Sequence, residues 1–279
     1  MTKTIALWVK ELESDYFSRR ARNSKTETTW QTDYLRVFRH LPQDEELSSE
    51  ILKALVTDTL PDTRTRKRYC IALGVLARFS GLEINLKFYS GSYSFKSACR
   101  RNLPDDLEIV AGFEQVKDPA WRWVYGMIAV YGLRPHEVFC LDYQRIEAGN
   151  PALKVLGGKT GERLVFPFYP EWLEQFDLRT VMLPRVSGAT NSDLGHRVAQ
   201  AFRRFKLSFR AYDLRHCWAV RTLEFGLELP LAAQQMGHST RVHTEIYHAW
   251  ISEKVQQKAF EALLAQPTRP RAPFRSGGL

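Results

Sequence analysis

The sequence predicts a mainly α-helical protein with one small β-hairpin in its larger domain. Three observations favour this class: apolar residues recur at helical spacing along most of the chain, two β-prone runs flank a Gly-rich turn, and the periodicity breaks once. The 279 residues suit one large or two modest domains. We expect a helical N-terminal domain over 1–105, a second domain over 106–265 and a disordered tail over 266–279.

The N-terminal domain is expected to consist of helices. A helix with an apolar face and a terminal glycine is predicted for residues 64–81, RTRKRYCIALGVLARFSG. A shorter, serine-capped helix is predicted before it, in LSSEILKALVTDTL. The stretch RRNLPDDLEIV then combines charges, a proline and lost periodicity, which places the domain boundary near residue 105.

The second domain is expected to combine buried helices with the hairpin. A buried helix is predicted by PAWRWVYGMIAVYGL, which is apolar nearly all round. The hairpin is predicted by ALKVLGGKTGERLVFPF, where two β-prone runs surround a Gly-rich turn. Helical patterns return in SDLGHRVAQAFRRF, AYDLRHCWAVRTLEFG, LPLAAQQMG and STRVHTEIYHAWISEKVQQKAFEALLA, before the Pro-, Gly- and Arg-rich tail.

Charge indicates a polyanionic partner. The chain has 40 Lys and Arg against 31 Asp and Glu, a net charge of +9. Basic residues recur in local groups, as expected of a surface that binds phosphates with counterion release, although any single group could be a solvated helix face. The net excess favours nucleic acid. The groups are Arg19, Arg20, Arg22 and Lys25; Arg64, Arg66, Lys67 and Arg68; and Arg203, Arg204, Lys206 and Arg210.

Other classes of protein are disfavoured by composition. No run approaches the roughly 18 apolar residues that cross a bilayer, and the N-terminal segment lacks the cleavage site of a signal peptide. The four cysteines lie far apart, which suits reduced thiols better than disulfides or a zinc knuckle. We therefore expect a cytoplasmic protein that contacts no membrane and associates with the nucleoid when bound to nucleic acid.

Three histidines five residues apart, His238, His243 and His248, raise the question of a metal site. A step of five residues turns a helix by about 140°, so the three side chains would point in different directions. The stretch also lacks an H-E-x-x-H pattern and a nearby thiolate pair. We expect no metal and no cofactor here, and interpret His243 and His248 as local structure.

Five further motifs occur in order with coherent spacing. An arginine lies in GLRPHEVFCL, with Glu137 placed three residues later to brace it. A lysine lies in the hairpin turn GGKTGER, a Tyr and an Arg share a helix face in YDLRHCWAV, and a histidine in MGH precedes a tyrosine by nine residues. These positions are Arg134, Lys159, Tyr212, Arg215, His238 and Tyr247. Taken singly, a residue of each of these types is more often an ordinary surface or core residue. Ordinary surface and core positions do not explain why all of them occur in this order and spacing.

The ordered set resembles the tyrosine recombinase, or phage integrase, family over residues 120–260. The resemblance implies a two-domain clamp on double-stranded DNA and strand cleavage through a 3′-phosphotyrosyl ester, without metal or ATP. Tyr247 would be the nucleophile, and Arg134 and Arg215 would hold the phosphate oxygens. Lys159 would act as general acid, and His238 would donate a hydrogen bond to the phosphate. Recombination would use a homotetramer on two DNA sites, formed from monomers or weak oligomers.

One position departs from the family pattern, because Tyr212 stands where the family has histidine. A phenol can still donate a hydrogen bond to phosphate, but it is a poor base near neutral pH. We expect the site to remain active, with His238, Lys159 and water covering the loss.

Two alternative functions and one possible interface are also consistent with the sequence. LPLAAQQMGHSTRVHTEIY also fits the helix-turn-helix of a non-catalytic, sequence-specific DNA-binding regulator. A type IB topoisomerase-like enzyme would share the chemistry but relax supercoils without a partner site. The segment 251–265 would suit a helix that docks on a neighbouring protomer or packs on its own domain, through Ile251, Val255, Phe260, Leu263 and Leu264.

Overall fold

The computed structural model describes residues 3–93, 102–157, 161–247 and 253–271, and it divides the chain into two compact units. Unit 1 is Met1–Ala98 and unit 2 is Cys99–Leu279. The division falls among residues outside the described ranges, a few positions before the boundary expected near residue 105. The expected domain roles of the two units stay predictions.

Unit 1 is helical, as the periodicity predicts. Side-chain oxygens of Thr4, Ser48 and Thr63 cap the first turns of three helices, and Gly81 ends the longest in the left-handed conformation. The core centres on Trp30, with Tyr16 and Phe38 packed around it. The helices are α1 (Ile5–Ser18), α2 (Ser24–Thr29), a π-helical turn (Trp30–Leu35), α3 (Arg36–Phe38), α4 (Ser49–Thr57), α5 (Arg64–Ser80) and a 3₁₀ turn (Leu86–Ser90).

Unit 2 combines helices with the predicted hairpin. Strands β1 (Leu153–Val155) and β2 (Arg163–Val165) pair antiparallel, with Lys154 opposite Leu164. The described helices are α6 (Asp106–Gln115), α7 (Pro119–Tyr131), a 3₁₀ turn (Pro135–Phe139), α8 (Tyr143–Glu147), α9 (Glu171–Gln175), α10 (Asn191–Arg204), α11 (Ala211–Glu224), α12 (Leu229–Met236), α13 (Thr240–Tyr247) and α14 (Glu253–Ala265).

Helix α7 forms the centre of unit 2. Every residue from Trp123 to Tyr131 is buried, which confirms the buried helix predicted from its all-round apolar pattern. Gly132 ends the helix at φ 61°, and a Cβ there would lie 2.6 Å from the ring of Trp218. Glycine is therefore required both for the backbone conformation and for the close approach of α11. This turn leads directly into the segment that contains Arg134.

Some residues named from the sequence lie outside the described ranges, whereas helix α14 lies within them. Lys159, His248, Ile251 and residues 272–279 of the tail lie outside the described residues. Helix α14 buries Val255, and Lys258 forms an ion pair with Glu224 of α11, so it packs on its own unit. Its other predicted docking residues, Phe260, Leu263 and Leu264, are exposed. None of the helices within the described ranges is long and apolar enough to cross a membrane.

Candidate active site

One buried carboxylate organises the site in unit 2. Glu137 has no exposed surface and contacts three guanidinium groups. Its oxygens lie 2.7 Å from Arg134 Nη1, 3.0 and 2.6 Å from the two terminal nitrogens of Arg163, and 3.9 Å from Arg215 Nη1. Burial alone would raise the pKa of Glu137, but the three arginines lower it to about 2. Three positive charges against one negative charge suit the binding of an anion.

Local sequence fixes Arg134 beside this carboxylate. The Arg134 backbone N–H donates to Glu137 Oε2 at 2.7 Å, and Pro135 starts the 3₁₀ turn that brings the two residues together. Arg134 Nη2 also donates to the carbonyl of Gly237 at 2.7 Å, which ties the guanidinium to the turn between α12 and α13. The side chain is 14% exposed, so a phosphate can reach it.

Arg215 is held more deeply. Its side chain is 1% exposed and donates to the carbonyls of Gly132 and Met236. These carbonyls lie at the C-terminal ends of α7 and α12, where backbone acceptors lack intrahelical partners and the helix dipole favours a cation. The arginines predicted from separate motifs are thus fixed by one carboxylate and by neighbouring helix ends.

His238 and His243 form a hydrogen-bonded pair. His238 Nε2 lies 2.9 Å from His243 Nδ1, and His243 is completely buried. Burial, followed by the charge of Arg215, lowers the pKa of His238 to about 3 and that of His243 to about 4, so both are neutral near pH 7. Within the described ranges, no group of three or more His, Cys, Asp or Glu could hold a metal ion.

The unpaired nitrogen of this pair indicates its tautomers. His243 Nε2 is buried and has no hydrogen-bond partner among the residues that the structure describes. An unpaired buried N–H is rarer in proteins than an unpaired acceptor, so we place the proton of His243 on Nδ1, donating to His238 Nε2. His238 then carries its proton on Nδ1, where it can donate to a ligand.

Tyr247 ends α13 beside these residues and is 2% exposed. Its hydroxyl lies 3.2 Å from His216 Nδ1, and its ring centroid lies 4.7 Å from that of His243. Burial raises the pKa of the phenol well above its ordinary value, and the charges of Arg215 and Arg134 oppose that rise. The phenol is therefore protonated near neutral pH and needs a proton acceptor before it can act as a nucleophile.

Tyr212, the departure from the family pattern, is 42% exposed. Its ring meets the His216 ring edge to face, with centroids 5.2 Å apart, and the Arg215 guanidinium carbon lies 6.0 Å from its centroid. The phenol of Tyr212 therefore lies close enough to contact a phosphate bound near Arg215, but it is a surface group rather than part of the buried cluster.

The predicted residues Arg134, Tyr212, Arg215, His238 and Tyr247 come together in one site, while Lys159 lies outside the described residues. Sequence reasoning missed Arg163 and His216. Arg163 and Val165 share the inward side of β2, and a charged residue at an inward strand position signals a buried partner. His216 lies four residues after Tyr212 on α11, so the two share a helix face.

The predicted DNA-binding residues have two different placements. Arg66 is buried in unit 1 and donates to Thr59 Oγ1 at 2.7 Å and to the carbonyl of Thr57, so it secures the end of α4 and does not face DNA. This corrects its assignment to a DNA-binding surface. The other residues of these groups keep exposed or partly exposed side chains: Arg64, Lys67, Arg68, Arg203, Arg204 and Arg210.

Similarity to known proteins covers nearly the whole chain. Residues 6–90 match the family model of the XisA/XisC excisase second domain. Excisase A and Excisase C of Nostoc sp. strain PCC 7120 are 30% and 25% identical over 95% of this chain. The chain spans 62% and 58% of those proteins, less than two thirds of their length.

The fold comparison extends the similarity to both units. A crystal structure of a lambda integrase tetramer bound to a Holliday junction matches 98% of this chain and 81% of that one, with a TM-score of 0.60 and 17% sequence identity. A transposon Tn1549 integrase in complex with transposon right end DNA matches 94% of this chain with a TM-score of 0.57. Together with the ordered motifs, these similarities support the resemblance of the chain to the tyrosine recombinase family.

Proposed function

We propose that this chain is a site-specific DNA recombinase that cleaves and rejoins DNA by transesterification. The observation that carries the proposal is the placement of two guanidinium groups, secured by the same buried carboxylate, beside the phenol of Tyr247. Such a site fits a phosphodiester whose nonbridging oxygens gain charge in the transition state. Arg134 and Arg215 would supply charge-assisted hydrogen bonds to those oxygens.

The chemistry would proceed through a covalent intermediate. Tyr247 Oη would attack phosphorus and form a 3′-phosphotyrosyl ester, while Lys159 would protonate the departing 5′-oxygen. The ester conserves the bond energy, so rejoining would need no ATP. We propose that the arginines provide the charge stabilisation that a metal ion provides in other phosphoryl-transfer sites.

His238 would complete the phosphate site. The tautomer assigned above leaves a neutral imidazole with an N–H on Nδ1, which can donate a hydrogen bond without changing the charge of the site. Because its pKa lies near 3, His238 would act as a hydrogen-bond donor and not as an acid or a base near pH 7. Its position 6.0 Å from the Tyr247 ring, centroid to centroid, suits contact with the same phosphate.

The proposed substrate is double-stranded DNA, bound by both units. The net charge of +9 and the exposed basic side chains on α5 and α10 support backbone contacts. We propose four protomers on two DNA sites, with exposed apolar residues of α14 available for contact with a neighbour.

The regulator alternative receives less support. The turn between α12 and α13 resembles a helix-turn-helix, but its backbone accepts hydrogen bonds from Arg134 and Arg215. A DNA-reading turn would not need a buried guanidinium cluster behind it.

A covalent-capture assay tests the proposal. The protein would be mixed with a pool of nicked DNA duplexes that have randomised arms, and protein–DNA adducts would be separated under denaturing conditions. We expect adducts with the unaltered chain and none with Tyr247→Phe, which should bind the same duplexes with nearly equal affinity. Binding without any adduct from the unaltered chain would contradict the proposal. Relaxation of a supercoiled plasmid without an enriched site would favour the topoisomerase-like alternative.

A further inference from the structure

The hydroxyl of Tyr247 has a specific neighbour that the motif comparison does not assign. His216 Nδ1 lies 3.2 Å from Tyr247 Oη, within hydrogen-bond distance. The imidazole is half-buried on α11, directly after Arg215. With its proton on Nε2, a neutral imidazole presents a lone pair on Nδ1 toward the phenol.

We propose that His216 is a catalytic base that takes the phenolic proton of Tyr247 during DNA cleavage. The inference rests on the proposed function, since it names the proton acceptor of that reaction. As the Oη–P bond forms and the P–O5′ bond breaks, the phenolic proton moves to His216 Nδ1 and O5′ takes a proton from the general acid. In rejoining, the O5′ hydroxyl returns its proton to the general acid as O5′ attacks phosphorus, and His216 returns its proton to the departing phenolate.

The other imidazoles of the site are less suited to this role. His238 Nε2 and His243 Nδ1 are 2.9 Å apart and are engaged with each other. The remaining nitrogen of His243, Nε2, is completely buried. Tyr212 is a phenol, and a protonated phenol is a poor proton acceptor.

The position of His216 also explains how the site could function with Tyr212 in place of the histidine of the family pattern. The two residues are one helical turn apart on the same face of α11, and their rings are in edge-to-face contact at 5.2 Å. His216 thereby places an imidazole one turn further along α11, in contact with the nucleophile. The sequence alone predicts that His238, Lys159 and water compensate for the missing histidine, whereas the geometry points to His216.

Chemical rescue tests the proposal. Adduct formation would be timed with duplexes enriched from the randomised pool, using the full chain and its His216→Ala variant. We expect the variant to react on the order of 100-fold more slowly, the low end of general base contributions. Added imidazole should restore much of the rate, while pyrazole, a ring of the same size but very weak basicity, should not. His40→Ala in unit 1 is the matched control and should respond to neither compound.

A second variant separates proton transfer from structure. His216→Asn keeps a hydrogen-bonding group near Nδ1 but cannot accept a proton, so it should remain slow while folding and binding DNA normally. If His216→Ala fails to fold, the rate of adduct formation by His216→Asn tests the proposal instead. Rates within about twofold of the unaltered chain for the variant that folds, or equal rescue by pyrazole, would overturn the role of His216 but leave the proposed function intact. Absence of adducts from the unaltered chain would overturn both.

Discussion

The two units bury different chemistry. In the described part of unit 1, Arg66 is the buried charged residue, and its donors satisfy oxygens at the end of α4. Unit 2 buries Glu137, Arg163, Arg215 and His243 around one site, and it also buries Asp213 and Arg221. Burying a charged group costs desolvation free energy, so a cluster of buried charges is an unfavourable way to stabilise a fold. The contrast fits the proposed function, in which these groups of unit 2 would act on a bound phosphate.

The largest expected effect follows from removing the shared carboxylate. Glu137→Gln leaves the buried guanidiniums of Arg163 and Arg215 without their counter-charge, which should destabilise unit 2 by about 3–5 kcal/mol. The matched control is Glu174→Gln, whose pair with Arg179 is exposed and should contribute less than about 1 kcal/mol. Hydrogen exchange resolved by peptide would measure each unit separately. Equal effects of the two substitutions would contradict the claim that the buried carboxylate, unlike an exposed one, holds the charged cluster of unit 2 together.

A pair of glycines sharpens the same comparison. Gly81 in unit 1 and Gly132 in unit 2 both have positive φ, at 75° and 61°. A Cβ at Gly81 meets nothing within 4 Å, whereas one at Gly132 lies 2.6 Å from Trp218. Gly81→Ala should cost about 1–2 kcal/mol for the backbone alone, and Gly132→Ala about 1–3 kcal/mol more from overpacking. Urea unfolding of the two variants would show whether the turn at Gly132 tolerates a side chain less well than the turn at Gly81.

Acid should affect unit 2 before unit 1. The folded-state pKa values of His238 and His243, about 3 and 4, lie below the ordinary histidine value of 6.5 because burial disfavours the charged form of both imidazoles. Their contribution to stability is therefore complete above pH 6.5 and is lost progressively as the pH falls toward 3–4. Between pH 6.5 and 5, unit 2 should lose about 2 kcal/mol for each imidazole. Hydrogen exchange at both pH values tests this, and a double replacement of the two histidines by Gln should flatten the response.

The smallest expected effects on stability distinguish two neighbouring basic residues of unit 1, Arg66 and Lys67. Arg66→Ala should lower the free energy of unfolding by about 1–3 kcal/mol, because it leaves buried acceptors unpaired. Lys67→Ala should change stability by less than about 0.5 kcal/mol but reduce the salt dependence of DNA binding by about one counterion. Thermal unfolding and binding measured at several salt concentrations would distinguish them. A reduced salt slope for Arg66→Ala in the folded protein would contradict its structural role.

The sequence predicts the elements of the fold better than the contacts of the site. The buried helix α7 and the hairpin follow from local periodicity, which depends on neighbouring residues along the chain. The brace of Arg134 by Glu137 is also local, at i and i+3. Arg163 and His216 were missed because their partners, Glu137 and Tyr247, lie 26 and 31 positions away. Only the folded chain brings those pairs together.

Arg66 illustrates the opposite error. Its membership of a basic cluster predicted a DNA contact, but its place on α5 turns the side chain inward while Arg64 and Lys67 turn outward. Composition identifies a charged group, whereas the helix phase determines which member of the group faces the solvent.

The central claim is that the phenol of residue 247 attacks a phosphate held by Arg134 and Arg215. The most direct measurement is mass spectrometric mapping of the residue joined to DNA, after capture from the nicked duplex pool and digestion of the adduct. The account predicts a 3′-phosphoryl linkage on the peptide that contains Tyr247, with adduct yield greatly reduced by Arg134→Ala. A linkage on Tyr212 or on any other residue would contradict it.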